Sequence, residues 1–383
     1  MIRSWRAHWK GLSCRGGGRA CLPKPAASDG SPKEWSDTLS LLRWVLIVLV
    51  VAIHTQLVAD TGCTETFYGR AYHWTEHVLW LANPLFFLIS GYLFMVTENG
   101  LTWRVCAGKW RRRLRTWLLP YLLWNTIFLL YHVFVSVVCP SALGVVPPVG
   151  DMRPLDFLKA YACIRGAGFN SAPIDEPLWF LRNLMLLALL APLWYQLLRF
   201  RWLSLLLMAG LAALPHTYGF ESDLLYFLAG AYLRVWEGGL TPLLRRPLWL
   251  PLAVYLLSCL WMGSPYALSA VGGQWLLACR NFSGMLLLAR MSHRVVACRP
   301  SADWRAFAQP VFFVFALHSM VARPLTKLSA QWLLAHSAGS ALFFLLHMLN
   351  LAVTIGCCLL LHRLLGKTLP AFRVWLGGAA ATG

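Results

Sequence analysis

The sequence predicts an all-α, polytopic membrane protein with about ten transmembrane helices and both termini in the cytoplasm. Of its 383 residues, 58% are hydrophobic and only 13% are charged, which is about half the charged fraction of a soluble domain. Apolar segments recur along the chain, and about 20 such residues cover the roughly 30 Å hydrocarbon core of a bilayer. The loops between them alternate between many and few basic residues, which orients the predicted helices.

Ten apolar segments are the predicted transmembrane helices. In chain order they are residues 40–58, 77–96, 117–139, 178–198, 202–216, 222–236, 248–262, 272–289, 310–325 and 341–362. The fifth, sixth, seventh and ninth segments are short or interrupted, so nine or eleven helices are the alternatives. Together the segments form one predicted membrane domain over residues 39–366.

A basic segment precedes the predicted membrane domain and a short segment follows it. Residues 1–38 carry seven Lys and Arg side chains among Gly, Ser and Pro, which predicts a disordered cytoplasmic arm on the membrane surface. An apolar core of the kind that secretory signals need is not found before residue 40. Residues 367–383 are predicted to be a short cytoplasmic tail.

The net positive charge of the chain indicates topology. The sequence has 34 Lys and Arg residues against 15 Asp and Glu residues. With the N-terminus inside, 25 basic residues lie on the cytoplasmic side and 6 lie in outer loops, as the positive-inside rule requires. We therefore predict a multi-pass protein of the cytoplasmic membrane, with the lipid bilayer as a partner and no nucleic acid.

The 11 cysteines contain no CxxC pair, and Cys and His form no metal-ligand pattern in the sequence. We therefore predict no metal site and no bound cofactor.

The first apolar segment contains two ionisable residues, Arg43 near one end and His54 further in. At about 100° per residue they return to nearly the same helix face, roughly 16 Å apart along the axis. Ionisable groups at such depth usually face a protein interior or a watery cavity, and a neutral imidazole can accept a proton from a hydroxyl group. The alternatives are a packing role for His54 and an Arg43 side chain that reaches the headgroups.

A run of arginines at the inner end of the third segment is a candidate binding site for a phosphorylated ligand such as coenzyme A. The side chains of Arg112, Arg113 and Arg115 lie in the sequence KWRRRLRTWLLPY, and guanidinium groups bind phosphate oxygens bidentately. The alternative is anchoring at the inner surface of the membrane.

The second segment contains Ser90 and Gly91 within FFLISGYLF. Small residues let a helix or a ligand chain approach the backbone closely. Close helix packing is the alternative to ligand binding there.

Candidate acceptor-binding or pore-lining residues lie near the predicted outer face and within later segments: Trp179, Arg182, Asn183, Arg280 and His318. Aromatic faces suit sugars and arginine suits phosphate, whereas an interfacial aromatic belt and local ion pairs are the alternatives. The long Pro- and Gly-containing outer loop over residues 140–177 is a candidate lid or acceptor-binding element.

Six motifs in order resemble the acyltransferase-3 family of membrane-bound O-acyltransferases, which includes bacterial O-acetyltransferases of cell-surface polysaccharides. They are Arg43 with ten residues before His54, FFLISGYLF, RRRLRTWLLPYLLW, LWFLRNLMLL, YFLAGAYL and FFVFALHSM. The resemblance covers roughly residues 40–365.

The resemblance implies a ten-helix core that takes an acyl group, usually acetyl, from cytoplasmic acyl-CoA and delivers it to a glycan hydroxyl. It implies that His54 is the catalytic histidine with Arg43 as its partner. Arg112 and Arg115 would match the inner arginine pair, and Ser90 with Gly91 would match the Ser-Gly motif. Since no hydrolase-like extra domain is found in the sequence, either transfer is direct or a separate transferase partner completes it.

Two other classes of protein also fit many apolar helices with buried Arg and His. A transporter or flippase for a polysaccharide precursor would use these residues to line a path. A scaffold for polysaccharide assembly would not need Arg43 or His54 for its activity.

Overall fold

The computed structural model describes residues 32–95, 101–138, 146–165, 171–214, 219–237, 247–262 and 270–369. Regular structure in these ranges is helical, apart from one isolated antiparallel bridge between Arg165 and Ala172. The predicted all-α class is therefore confirmed over the described part of the chain.

Helix α1 spans Pro32–His54 and is the helix around which many others pack. Its start lies within the segment predicted to be a disordered arm, whose residues 1–31 lie outside the described part of the chain. Glu34 in its first turn suits the positive end of the helix dipole. The helix ends at His54, so His54 is its last residue and not a residue of its middle.

The remaining helices follow in chain order. They are α2 (Val58–Thr61), α3 (Phe67–Leu79), α4 (Ala82–Phe94), α5 (Trp103–Arg113), α6 (Leu119–Val138), α7 (Pro154–Lys159), α8 (Trp179–Leu189), α9 (Ala191–Leu198), α10 (Arg201–Ala212), α11 (Phe220–Trp236), α12 (Trp249–Met262), α13 (Ala270–Cys298), α14 (Trp304–Ala308), α15 (Val311–Ala335) and α16 (Ser340–Thr368). A π-helical turn, Leu114–Leu118, joins α5 to α6.

Each of the ten predicted apolar segments coincides with one or more of these helices, but the helices differ in length. Five described segments are long and apolar enough to cross a membrane. They are Lys33–Thr61, Phe67–Phe94, Trp103–Val138, Val311–Ala335 and Ser340–Thr368. A sixth arises if α8 and α9, which are bent by 60° at their junction, form one broken span. The protein is thus an integral membrane protein.

The core of the bundle forms where α1 packs against α4, α13, α14 and α15. Leu46, Ile47 and Val51 of α1 are almost fully buried in this core; Ile47 and Val51 are four residues apart and Leu46 is adjacent to Ile47, so the three share one helix face. On α14, Phe307 packs edge to face against Trp44 of α1. Helix α1 thus contacts four other helices of the bundle, and its last residue is His54.

Helices α4 and α11 approach each other backbone to backbone at two glycines. A Cβ atom on Gly91 would lie 2.0 Å from the carbonyl oxygen of Phe227, and one on Gly230 would lie 1.9 Å from that of Leu88. Only glycine permits this contact. The packing alternative for Gly91 therefore holds, while a role for Ser90 and Gly91 in acyl-CoA binding stays a prediction.

Replacing Gly91 by alanine is expected to destabilise the protein by about 2 kcal/mol, because overpacking forces two helix backbones apart. Thermal unfolding of the purified protein in detergent measures this loss. The matched control is Gly210→Ala in α10, where an added Cβ atom has no neighbour within 4 Å. Equal stability of the two variants would contradict the close contact.

Candidate functional site

The imidazole of His54, at the end of α1, lines a cavity. The side chain is partly exposed and forms no hydrogen bond with another described residue. Arg43 lies on the same helix, roughly 16 Å away along the axis. Arg43 also lacks a hydrogen bond or ion pair within the described part of the chain, and it does not line the cavity.

A network of hydrogen bonds from α3 and α16 holds the end of α1 in place. The backbone N–H of Leu57 donates to the hydroxyl of Tyr68 at 3.2 Å, and this hydroxyl lies 3.0 Å from Nδ1 of His347. The other ring nitrogen of His347 donates to the carbonyl oxygen of Ala52 at 3.2 Å. Free carbonyl groups at a helix end need partners, so these side chains fix both the end of α1 and the position of His54.

The ring of His318, on α15, packs against that of His54. The two ring centroids are 5.0 Å apart and the ring planes are inclined by 58°. His318 is fully buried, and its Nδ1 lies 2.7 Å from the carbonyl oxygen of Phe315. Since a neutral imidazole has one donor and one acceptor, Nδ1 carries the proton. Nε2 is then an acceptor, and it has no partner among the described residues.

The cavity beside His54 has a volume of about 420 Å³. Its apolar wall is largely aromatic, with Trp80, Trp179, Phe180 and Phe315. Its polar groups come from four further side chains, namely Asn83, Ser171, Glu176 and Arg182. Flat aromatic faces with a few hydrogen-bonding groups form the kind of pocket that binds a small polar-faced molecule.

The predicted outer loop supplies much of the cavity wall. Residues 171–178 are held by the bridge of Arg165 to Ala172 and by a bond from the N–H of Ile174 to the carbonyl oxygen of Ala160 at 2.7 Å. Glu176 forms an ion pair with Arg323 of α15. The described part of this loop is therefore held against the helices, while its role as a lid or acceptor-binding element stays a prediction. Residues 139–145 and 166–170 lie outside the described part of the chain.

Asp175, which precedes the cavity residue Glu176, is fully buried. Its backbone N–H donates to Oδ1 of Asn125 at 3.3 Å, but its two carboxylate oxygens have no hydrogen-bond partner among the described residues. Burial raises the pKa of this carboxyl group well above its ordinary range, and the nearby charges of Arg165 and Arg323 only partly oppose the effect. Asp175 is therefore held closer to its neutral form than an exposed aspartate.

Of the five predicted acceptor-binding or pore-lining residues, Trp179 and Arg182 line the cavity. Arg182 donates from Nε to Oδ1 of Asn183 at 3.0 Å and also bonds the carbonyl oxygen of Ala162 in the outer loop. Asn183 is buried and donates to Asp223 of α11 at 2.7 Å. Asn183 therefore orients Arg182 from behind the cavity wall.

Arg280 and His318 do not line this cavity. Arg280 is 5% exposed and is held by neutral groups, with Asn281 Oδ1 at 3.0 Å and His77 Nδ1 at 2.8 Å. The amide of Asn281 in turn donates to the hydroxyl of Tyr226 at 2.8 Å. Through His77 and Asn281, Arg280 links α13 to α3 and α11. His318 contacts the cavity through the ring of His54.

The arginine run lies at the other end of α4 from the cavity, since Asn83 and Phe94 are roughly 16 Å apart along that helix. Arg113 is folded inward, with its guanidinium group 4.1 Å from the ring centroid of Phe94 and 4.2 Å from that of Trp117. Arg112 and Arg115 are exposed. The three predicted acyl-CoA-binding arginines are thus split between one packing residue and two that face outward, and their ligand stays a prediction.

The sequence profile of the acyltransferase-3 family, described as an acyltransferase domain, matches residues 36–363. The chain belongs to this family. The predicted resemblance over residues 40–365 is confirmed. Among curated proteins, the succinoglycan biosynthesis protein ExoH of Rhizobium meliloti (strain 1021) is 30% identical over 212 residues. The match spans about half of each protein, 51% of this chain and 53% of the relative. No solved structure matches the chain.

Several cavity residues of this acyltransferase-3 protein were missed by sequence reasoning: Trp80, Asn83, Ser171, Phe180 and Phe315. Single aromatic and amide residues in apolar segments carry no local pattern that separates a cavity wall from a packed core. Phe180 lies inside the motif LWFLRNLMLL, and Phe315 lies inside FFVFALHSM. The motifs were therefore the available signal for these two residues.

Proposed function

We propose that this protein is an O-acyltransferase that moves an acyl group, most simply acetyl, from acyl-CoA to a hydroxyl group of a cell-surface polysaccharide or lipid-linked sugar. The observation that carries the proposal is His54, whose ring is free of protein hydrogen bonds within the described residues and lines an aromatic-walled cavity. Membership of the acyltransferase-3 family supports the reaction class. The relative named for succinoglycan biosynthesis supports a glycan acceptor.

The proposed chemistry is general-base catalysis by His54. The acceptor hydroxyl gives its proton to the imidazole, and its oxygen attacks the thioester carbonyl of acyl-CoA. The carbon–sulfur bond then breaks, and the CoA thiolate leaves with the proton that His54 held. No covalent acyl-enzyme is required, and no bound cofactor or metal takes part.

The acceptor sugar would lie in the cavity beside His54. Trp179 and Trp80 offer flat faces for a sugar ring, and Ser171, Glu176 and Arg182 offer hydrogen bonds to its hydroxyl groups. The volume of about 420 Å³ suits one or two sugar units rather than a long chain. The rest of a polysaccharide would extend outward past the outer loop.

The proposed topology has ten spans, both termini in the cytoplasm and the protein in the cytoplasmic membrane. Its support is the sorting of 25 basic residues to one side and 6 to the other. In this topology the exposed Arg112 and Arg115 face the cytoplasm, where the phosphates of acyl-CoA are found. A separate transferase partner would complete the reaction if transfer to the final acceptor is not direct.

Replacing Trp179 by alanine is expected to raise the KM for the glycan acceptor about tenfold, because one stacking surface is lost. The KM for acyl-CoA should not change, since the donor is proposed to enter from the other side. Steady-state kinetics with each substrate varied in turn measure both values. The matched control is Trp249→Ala, an exposed tryptophan of α12; equal effects of both variants would contradict the acceptor site.

The proposed function is tested by following the release of free CoA thiol from acetyl-CoA by the purified protein. Release should require an O-deacetylated polysaccharide or lipid-linked sugar and should stop when the acceptor hydroxyl groups are exhausted. Equal release without any glycan would indicate a thioester hydrolase instead. No release with any acyl-CoA would overturn the acyltransferase proposal.

A transporter is the second candidate, favoured by one observation, the 60° bend between α8 and α9. Broken helices line substrate sites in many transporters. Glycan movement across proteoliposomes without acyl-CoA turnover would favour this candidate. For a scaffold, substitution of Arg43 and His54 should leave polysaccharide assembly unchanged.

A further inference from the structure

A second cavity, which shares no lining residue with the one beside His54, lies between the segment that leads into α15 and the last turns of α16. It has a volume of about 370 Å³. Ala306, Gln309 and Pro310 form one wall. Leu359, His362, Arg363, Gly366 and Lys367 form the other. Nothing in the proposed acyl transfer uses these residues.

The cavity is strongly cationic. Arg363 and Lys367 are four residues apart and therefore share a helix face. Neither forms a hydrogen bond or ion pair with another described residue. The carboxylates that reach α14 are engaged with other groups, since Asp303 accepts from the N–H of Ala306 at 3.3 Å and Asp37 of α1 pairs with Arg305 at 3.5 Å. The two cations are thus available to an anion from outside the chain.

Apolar side chains flank this cationic cavity. Leu360 on α16 is 57% exposed and follows the wall residue Leu359, and Phe307 on α14 is 45% exposed and follows the wall residue Ala306. A soluble nucleotide has no apolar chain that could gain binding free energy from contact with these side chains. A lipid has both parts of the pattern, because its phosphate is anionic and its chains are apolar.

The position of the cavity also fits a lipid. It opens at the end of α16, one of the helices long and apolar enough to cross the membrane. Basic pockets between helices at the membrane surface are the sites where anionic headgroups bind. The wall residue His362 of α16 packs against Phe313 of α15, with ring centroids 5.4 Å apart. The cavity is therefore packed against α15, the helix that also carries His318.

We infer that the cavity between Gln309 and Lys367 binds the phosphate headgroup of an anionic membrane lipid, with Arg363 and Lys367 as its ligands and the exposed Leu360 of α16 against an acyl chain. The inference does not rest on the proposed acyl transfer. Its structural consequence is that a bound lipid joins the start of α15 to the end of α16.

Native mass spectrometry of the purified protein with added phosphatidylglycerol tests the inference, with zwitterionic phosphatidylcholine as the comparison lipid. The double variant Arg363→Gln, Lys367→Gln should bind phosphatidylglycerol about 25-fold more weakly, since each basic residue contributes roughly fivefold to the attraction. Its binding of phosphatidylcholine should change little. The matched control is the double variant Arg294→Gln, Arg299→Gln, which removes two exposed cations of the α13 region outside the cavity and should bind phosphatidylglycerol as the unmodified protein does.

Two outcomes would overturn the inference. Equal loss of phosphatidylglycerol binding in both double variants would show a diffuse effect of charge rather than a site. Displacement of bound phosphatidylglycerol by CoA, with CoA binding lost only in the Arg363→Gln, Lys367→Gln variant, would assign the cavity to the phosphates of the acyl donor. A thermal unfolding curve of each variant in detergent confirms that it is folded before binding is compared.

Discussion

Replacing His54 by alanine is expected to lower the rate of acyl transfer by about 10²- to 10⁴-fold, the usual contribution of a general base. The reason is that His54 has no protein partner for its ring nitrogens within the described residues and faces the cavity. The amount of protein in the membrane should not change, because His54 is partly exposed and removing it leaves the hydrogen bonds at the end of α1 intact. Initial rates with acetyl-CoA and a deacetylated glycan measure the effect.

The matched control for His54 is His73→Ala, which removes an exposed histidine of α3. That variant should keep full activity. Near-normal transfer by His54→Ala at equal membrane abundance would exclude His54 as the base. Loss of the protein from the membrane would instead indicate that the packing alternative for this histidine is correct.

Replacing His318 by leucine is expected to lower kcat about 100-fold while leaving both KM values unchanged. When His54 accepts a proton it becomes a cation beside the ring of His318, whose centroid lies 5.0 Å away and whose Nε2 is an acceptor without a partner among the described residues. A hydrogen bond to a charged group contributes about 1.5–3 kcal/mol. We therefore propose that His318 is a positioning residue that acts through His54, since it does not itself line the cavity.

The conservative variant His318→Gln separates this role from simple packing, because a glutamine side chain keeps an oxygen acceptor. It should recover most of the kcat that His318→Leu loses. Both variants should unfold at temperatures close to that of the unmodified protein. Equal kcat values for the glutamine and leucine variants, or a rise in KM with no change in kcat, would contradict the role of the acceptor.

The positions of the helices were largely predictable from the apolar segments, but of about ten predicted spans only five, or six with the bent pair, are long and apolar enough to cross a membrane among the described residues. All ten predicted segments coincide with helices, from α1 to α16. The start of α1 was not predictable, since residues such as Glu34 and Asp37 break the apolar run. The structure explains them: Asp37 is buried and lies 3.5 Å from Arg305 of α14. An ion pair between distant helices thus allows the segment that contains Asp37 to be helical, whereas hydropathy alone predicted that it belongs to a disordered arm.

The candidate site was predictable in part. The sequence pointed to His54, Trp179 and Arg182, which line one cavity in the structure. It could not show that His318 touches His54, because contacts between distant helices depend on packing that one sequence does not display. In the arginine run, stacking on Phe94 turns Arg113 inward. The spacing of the arginines alone could not show which of them would face the protein interior.

The transfer of labelled acetyl in inside-out membrane vesicles tests directly whether this protein is an O-acyltransferase that depends on His54. Vesicles with the intact protein or with His54→Ala receive acetyl-CoA labelled in the acetyl group, and the label in the glycan and lipid-linked sugar fractions is then counted. We expect alkali-labile label in a glycan or lipid-linked sugar for the intact protein and almost none for His54→Ala. Equal labelling by the two proteins, or the absence of any acetyl-CoA turnover, would contradict it.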